Sequence, residues 1–171
     1  MTHLQMNFRL CYAPLLALSL LLLFSGCRKE KADEENLRVP RLMLESRGMN
    51  YGALTADSVT LPVSGTKVSL RKEPLVNEFE ITNVELVKVD LGLALLVQTS
   101  ELGARALYRG TVTGMGGRIV LTVNGKPIGA RRVEAPVEDG NFYTFTELKD
   151  EALGPLVLEI KETIAYLQEN K

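Results

Sequence analysis

Apolar residues follow two different periods along this chain, and the first period is that of β-strands. Val59–Val63 and Val68–Leu70 flank a glycine-containing turn, which predicts a β-hairpin. Pro62 cannot donate a ladder hydrogen bond, so it places the first arm at a sheet edge. Apolar residues then alternate, with one slip, from Phe79 to Asp90, and this pattern predicts a bulged strand. The nearly continuous apolar run Leu91–Thr99 predicts a central strand.

The period changes to that of a helix after residue 99. Ser100 can cap the first amides, Glu101 suits the positive end of a helix, and Gly110 suits a left-handed stop. Apolar residues at helical spacing lie between them. The sequence therefore predicts a helix of two to three turns that ends at Gly110, with residues 113–117 forming the loop after it.

A second hairpin has the most specific local signal in the chain. Arg118–Val123 is a strand-like run, Asn124-Gly125 follows it, and Lys126–Arg132 forms the return strand. Asn-Gly tolerates a positive φ at both central positions, as a type I′ turn requires. Pro127 weakens the pairing of the return strand, which indicates a sheet edge there.

The last third of the chain predicts one more hairpin and closing helices. Asp139-Gly140 is a turn signal that would join Val133–Val137 to Asn141–Phe145. Glu147–Leu153 predicts a short helix. A longer amphipathic helix would open at Gly154-Pro155, since proline is well placed in a first turn, although its first residues also suit a strand.

These elements predict an α+β fold, with a mostly antiparallel sheet and two or three helices packed on one face. Pro40, Gly48 and Gly52 interrupt any period before it, so residues 37–57 are expected to form a loose or partly helical lead-in. We expect three regions: 1–26, 27–57 and a domain at 58–171.

The first of these regions is read as a signal peptide. Leu15–Phe24 is apolar apart from Ser19, follows Arg9 and is too short to span about 30 Å of hydrocarbon, which needs about 20 helical residues. A charged start, a short apolar stretch and a small-residue finish are typical of secretory signals. A buried first helix is the alternative, but the run is apolar on every face.

Ser25, Gly26 and Cys27 follow the apolar run, and they resemble a bacterial lipobox. Phe24 departs from the usual leucine. The resemblance implies that Cys27 is lipidated by diacylglycerol and an acyl chain such as palmitate, which together suffice for stable anchoring. Arg28 stands where enteric lipoproteins kept at the inner membrane carry aspartate, so the outer membrane is favoured. An ordinary secreted protein and an uncleaved anchor are the alternatives.

Cleavage before Cys27 would remove much of the chain's reactive chemistry. His3 is the only histidine of the 171 residues, and Cys11 is the only other cysteine. The mature chain would therefore have no disulfide, Cys/His zinc site or Ser-His-Asp triad. The full sequence has 20 Lys+Arg and 21 Asp+Glu, and loss of Arg9 would leave 19 against 21. This near-balance argues against a strongly basic nucleic-acid binder. Residues 28–36 are almost all polar and predict a flexible tether.

A series of short motifs then occurs in a fixed order between residues 66 and 153. They are Lys72-Glu73-Pro74-Leu75, Phe79–Leu86, Leu95–Gln98, Thr99–Arg105, Arg118–Leu121, Val123–Lys126, Ala135–Val137, Asp139–Phe142 and Phe145–Glu147. This order resembles the head subdomain of the first periplasmic region of SecD, in the SecDF translocation motor. The resemblance covers about half the chain. It implies a non-catalytic, periplasm-facing element that engages translocating polypeptide. Since neither a transmembrane bundle nor a base subdomain is recognised here, proton-driven translocation is not carried over.

Three residue patterns offer catalytic or metal-binding interpretations. Ser64 and Lys67 match a Ser-x-x-Lys motif, but β-forming residues surround them and a solvated turn is favoured. The glycine-rich stretch 110–117 lacks the lysine of a phosphate-binding loop and follows a helix. Glu134, Glu138 and Asp139 lack the regular spacing of a calcium loop, so we expect a solvated hairpin end. No catalytic residue, metal or cofactor is predicted.

Two further patterns concern surfaces. Lys126, Arg131 and Arg132 form a candidate interaction surface for anionic headgroups or a peptide carboxylate, with exposed charge as the alternative. In the strand 141–145, Phe142 and Thr144 share one face, while Tyr143 and Phe145 share the other. We expect a helix of the same chain, rather than a ligand, to cover the Tyr143 face.

The sequence thus predicts a lipid-anchored envelope protein facing the periplasm, with a domain that binds or scaffolds exported or envelope proteins. Its partners would be the membrane, through the lipid, and a protein. No nucleic acid is expected, and the oligomeric state is left open. The alternatives are an envelope hydrolase using Ser, Lys or carboxylates, and a passive spacer.

Overall fold

The computed structural model describes residues 37–47 and 56–170, and it confirms the predicted α+β class. The elements in chain order are β1 (Pro40–Leu44), β2 (Ala56–Thr60), β3 (Lys67–Arg71), β4 (Ile81–Val89), β5 (Gly92–Thr99), α1 (Glu101–Thr113), β6 (Arg118–Val123), β7 (Lys126–Arg132), β8 (Asn141–Thr144) and α2 (Asp150–Glu169). The strands of these residues pair antiparallel in three sheets instead of one. Their orders are β1-β6-β7, β2-β3 and β4-β5-β8.

Strand β6 is buried on both of its faces. Ile119 and Leu121 point into the main core, while Val120 packs against Val68 and Leu70 of the β2–β3 hairpin. The hairpin therefore covers the outer side of the β1-β6-β7 sheet. This double burial explains why the segment is almost continuously apolar, since a strand with one solvated face would alternate.

The main core lies between the other face of that sheet, the β4-β5-β8 sheet and the two helices. Leu95, Val97 and Phe142 contribute from β5 and β8, and Ile160 and its neighbours one turn away contribute from α2. Neither α1 nor α2, the two helices of the described part, is both long and apolar enough to cross a bilayer.

The expected loose or partly helical lead-in at residues 37–57 is wrong for residues 40–44, which form strand β1. Each residue of β1 pairs with β6, from Pro40 opposite Val123 to Leu44 opposite Ile119. Leu42 and Leu44 are fully buried, and Leu42 exchanges backbone hydrogen bonds with Val76. The packed domain therefore includes residues ahead of position 58.

Helix α1 begins as predicted but ends later. The Ser100 side chain accepts a hydrogen bond from the Gly103 amide, and the helix continues through Gly110 to Thr113. Gly110 is buried against Leu75, and a Cβ at this position would collide with that side chain. The glycine therefore permits close packing in the helix interior and is not its stop.

The two helices predicted after residue 146 are one helix, α2, with Pro155 inside it. Proline has no amide to donate to Glu151, and its ring restricts the residue before it. That preceding residue is Gly154, which has no Cβ to clash with the ring. The helix therefore continues through Gly154-Pro155, where the sequence had predicted that it would begin.

The predicted hairpin about Asp139-Gly140 is also wrong in its first arm. Residues 133–137 form no strand, and β8 pairs with β5 instead. The predicted division of faces, with Phe142 and Thr144 on one side and Tyr143 and Phe145 on the other, is confirmed, but the covered face is the opposite of the one expected. Phe142 and Thr144 are buried, while Tyr143 and Phe145 each keep 40% of their surface exposed, so no helix covers the Tyr143 face.

The second hairpin and the bulged strand are confirmed. Asn124 and Gly125 both have positive φ values, 50° and 75°, as a type I′ turn requires. Strand β7 lies at a sheet edge, and its register shifts near Pro127. Strand β4 has the predicted irregularity, placed between Ile81 and Asn83.

Candidate functional site

A cleft of about 480 Å³ lies between the segment 131–139 and strand β8. After β7 the chain crosses to α1, where the Val137 amide donates to the Thr111 hydroxyl at 3.0 Å, and then returns to β8. Thr111 is itself buried and donates to the Leu107 carbonyl at 2.8 Å. The helix thus holds the segment away from β8, and this separation creates the cleft.

The cleft opens where the edges of two sheets part. Gly129 of β7 forms an isolated bridge with Thr146, and a Cβ on it would lie 3.0 Å from the Thr146 Cα. Two residues further along β7, at Arg131, the contact with β8 is made by a side chain and no longer by the backbone. Arg131 donates from its guanidinium to the Tyr143 carbonyl at 3.2 Å. The glycine therefore joins the two edges at one point, from which the cleft widens.

The outer edge of β8 presents four backbone groups toward this cleft. Gly140 accepts from the Thr99 amide, so by strand alternation the amides and carbonyls of Asn141 and Tyr143 point away from β5. The Asn141 amide donates to the Asp139 side chain at 3.0 Å, and the Tyr143 carbonyl accepts from Arg131. Between them, the Asn141 carbonyl and the Tyr143 amide make no hydrogen bond with any other described residue.

Asp139 is held in its ionised form by its neighbour. The Asn141 amide and side chain both donate to the Asp139 carboxylate, and these bonds lower its pKa below the usual 3.8. At neutral pH the carboxylate is therefore a stable acceptor at one end of the β8 edge.

Charges of both signs surround the cleft. Arg131 and Arg132 at the end of β7 line the cleft, and so do Glu134, Glu138 and Asp139 in the segment that follows. Within the described ranges, no three carboxylates or other ligating side chains come together as a metal-binding group would. The cleft is polar at its rim and bounded by Val133, Pro136 and Val137 inside.

A second concavity, of about 780 Å³, adjoins the cleft at Glu138, on the outer face of α1. It is lined by Leu102, Ala104, Arg105, Tyr108, Arg109 and Glu138. Leu102 is 62% exposed, and Tyr108, Val112 and Met115 are exposed as well. Apolar and aromatic residues mixed with arginine are typical of protein-interface surfaces.

The three basic residues of the predicted interaction surface do not share one patch. Lys126 is the first residue of β7, beside the turn, and Arg132 is the last, about 20 Å away along the strand. Arg131 and Arg132 line the cleft, while Lys126 does not. Cys27, the predicted lipidation site, lies outside the described residues.

The Ser-x-x-Lys pattern and the glycine-rich stretch both lie in ordinary turns and element ends. Ser64 lies in the turn between β2 and β3, where its hydroxyl accepts from the Thr66 amide, and Lys67 begins β3. The two do not share a helical turn, as a Ser-x-x-Lys nucleophile would require. The stretch 110–117 comprises the last residues of α1 and the turn that follows.

Sequence analysis missed the exposed backbone of β8, which is the distinctive feature of this site. The sequence placed Asn141–Phe145 in a hairpin with residues 133–137, and that pairing would have satisfied the outer edge. The signal against it was Pro136, which cannot donate to a neighbouring strand.

Comparison with known proteins connects this fold to SecDF. No family model and no curated protein matches the chain. A solved structure of SecDF, a membrane component that enhances protein export, is similar with a TM-score of 0.54 and 14% identity, covering 73% of this chain and 62% of that one. SecDF in its super-membrane-facing form is similar with the same TM-score and 12% identity, covering 72% of this chain and 18% of that one.

These similarities define the class of domain. The chain has an α+β fold similar to that of SecDF, and the resemblance to the SecD head predicted from its motifs is confirmed at the level of the fold. The match spans less than two thirds of either SecDF chain.

Proposed function

We propose that this protein is a lipid-anchored envelope protein whose SecD-head-like domain binds exported or envelope polypeptides without catalysis. The observation that carries the proposal is the cleft beside β8, which combines unpaired backbone groups with half-exposed Tyr143 on a fold shared with SecDF. A passive spacer would need neither feature.

The ionisable groups with shifted pKa values favour binding over catalysis. Arg41 and Glu78 form a two-bond ion pair that raises the pKa of the first and lowers that of the second. Glu147 loses solvation, which raises its pKa, but hydrogen bonds from the Ser64 side chain and from the Ser64 and Val63 amides outweigh this and lower it. Each shift has a structural partner, and the groups lie apart, whereas a hydrolase would need them to converge.

The anchor is the second part of the proposal. Cys27 would carry the lipid, the domain would face the periplasm, and Arg28 favours the outer membrane. Intact mass and membrane fractionation of the wild type beside Cys27→Ala test this part. We expect the wild type to be membrane-bound and heavier by its lipid, and the variant to be unlipidated. A soluble, unlipidated wild type would contradict the anchor.

The binding role is tested by affinity capture from chemically crosslinked envelopes of cells that express the full chain. We expect exported or envelope proteins to be recovered reproducibly. Tyr143→Glu, which places a charge at the mouth of the cleft, should reduce recovery. Leu91→Glu is the matched control, since Leu91 is 84% exposed in the β4–β5 turn. Wild-type captures without a reproducible partner would overturn the binding role.

A further inference from the structure

We infer that the cleft binds an extended polypeptide segment by adding it as a strand to the outer edge of β8. This inference rests on the proposed function and names the way in which the partner is recognised. The occupant is a stretch of unfolded chain, bound mainly through its backbone.

The two unpaired groups of β8 have the spacing that strand addition needs. The Asn141 carbonyl and the Tyr143 amide both point into the cleft, on either side of Phe142. One residue of a parallel strand can donate to the first and accept from the second. In an antiparallel strand, two residues would do so. An acceptor and a donor two residues apart therefore match the backbone of an extended chain.

The flanking groups of the edge are already satisfied by side chains. Asp139 accepts from the Asn141 amide, and Arg131 donates to the Tyr143 carbonyl. These two contacts close the edge at both ends, so only a short stretch can pair. Open-ended strand pairing, which leads to aggregation, is thereby limited.

The size and lining of the cleft agree with such an occupant. Its volume of about 480 Å³ lies in the range of ligand sites and suits a few residues rather than a folded element. Backbone recognition tolerates many sequences, and the mixed charges of Arg132 and Glu134 at the rim accept either sign. A site of this kind would suit partners that share only an unfolded state.

Tyr143→Pro tests the backbone contact, because it removes the free amide. We expect the hydrogen bonds between β8 and β5 to be kept. The Tyr143 amide points away from β5, and proline is tolerated at such edge positions. Tyr143→Ala is the matched control, since it removes the ring and keeps the amide. The probe is a fluorescent peptide of alternating threonine and valine with lysine at both ends, titrated against the full chain in detergent.

We expect Tyr143→Pro to weaken peptide binding about fivefold relative to Tyr143→Ala, as the loss of one backbone hydrogen bond implies. The same peptide with its amides methylated should bind more weakly to the wild type. Strand addition would be overturned if the proline and alanine variants bound the peptide with equal affinity. It would also be overturned if the wild type bound the methylated and unmethylated peptides with equal affinity.

Amide exchange in the wild type provides a readout that does not depend on a variant folding. The Tyr143 amide should exchange rapidly in the free protein and become protected when the peptide is added. An amide that stays unprotected at saturating peptide would overturn the inference. In crosslinked envelopes, partners retained by Tyr143→Pro would overturn strand addition but leave the proposed function intact, whereas the absence of wild-type partners would overturn both.

Discussion

Asn124 connects two parts of the sheet that lie far apart in sequence. Its side chain accepts from the Val39 amide at 2.8 Å and donates to the Leu37 carbonyl at 2.8 Å. Its own amide donates to the Val39 carbonyl. The residue that allows the type I′ turn therefore also fixes the segment leading into β1.

Replacing Asn124 with alanine should reduce the free energy of unfolding by about 2 kcal/mol. The change removes two hydrogen bonds and places a less suitable residue at a positive φ. Asn124→Gly is the matched control, because glycine adopts this φ without strain, so it should lose about half as much. Urea unfolding measures both. Equal losses would show that the strain at the positive φ contributes nothing, and an Asn124→Gly variant as stable as the wild type would show that the side-chain bonds contribute nothing.

The Arg41–Glu78 pair should make stability depend on acid pH. Arg41 donates twice to the Glu78 carboxylate at 2.7 Å, and this lowers the Glu78 pKa below its usual 4.5. The stabilisation is therefore complete above about pH 4.5 and is lost as the pH falls through the lowered value.

Glu78→Gln should accordingly cost up to about 1 kcal/mol at pH 7, because Arg41 is partly solvated, and less at pH 3. Urea unfolding at both pH values measures this difference. Glu162→Gln is the control, since Glu162 is exposed and has no ion pair among the described residues. A Glu78→Gln variant with the same deficit at pH 3 as at pH 7 would contradict the assignment.

At the scale of elements, β1 is an integral part of the packed domain. Leu42 is fully buried in the main core, and β1 covers one edge of β6 along its length. Leu42→Ala should therefore cost about 2–5 kcal/mol, the range for truncating a buried leucine. Leu91→Ala, at an exposed turn, should change stability little. If both variants melt like the wild type, β1 is not part of the core.

The close approach of β7 to the residues that follow β8 depends on Gly129. A Cβ there would collide with the Phe145 carbonyl oxygen, which is backbone and cannot move independently. We expect Gly129→Ala to cost about 1–3 kcal/mol and to weaken peptide binding, since the strands that frame the cleft must shift. Denaturant unfolding and the peptide titration measure these effects, and unchanged values in both would contradict the close approach.

Elements with local signals could be predicted from the sequence, whereas elements defined by distant partners could not. The Asn124-Gly125 turn and the Ser100 cap each depend on neighbouring residues, so their patterns were sufficient. Strand β1 becomes a strand through β6, some 80 residues away. Phe142 turns inward because it packs in the main core, and nothing in the alternation of its own strand indicates which face will be covered.

The candidate site was harder to predict for the same reason. Arg131 and Arg132 were singled out as charged surface residues, but their position beside a cleft depends on the path of residues 133–139. That path is set by Val137 docking on Thr111 of α1. The essential groups are backbone atoms of Asn141 and Tyr143, which carry no signature in side-chain type.

At the scale of the whole molecule, the cleft lies where two sheets meet at one bridge and then part. The β2–β3 hairpin covers one outer face, and the helices complete the core, so the edges of β7 and β8 are left beside the opening. The fold, which is similar to that of SecDF, thus leaves an open strand edge beside the cleft. Under the proposed function, a lipid on Cys27 would hold this domain at the membrane surface.

The most direct test of the binding role is site-specific photocrosslinking in intact cells. A photoreactive residue is placed at Tyr143, at the mouth of the cleft, and in a second strain at Leu91, in the exposed β4–β5 turn. We predict that Tyr143 crosslinks to exported or envelope polypeptides and that Leu91 does not. Crosslinks of equal yield and identity from both positions, or none from Tyr143, would contradict the account.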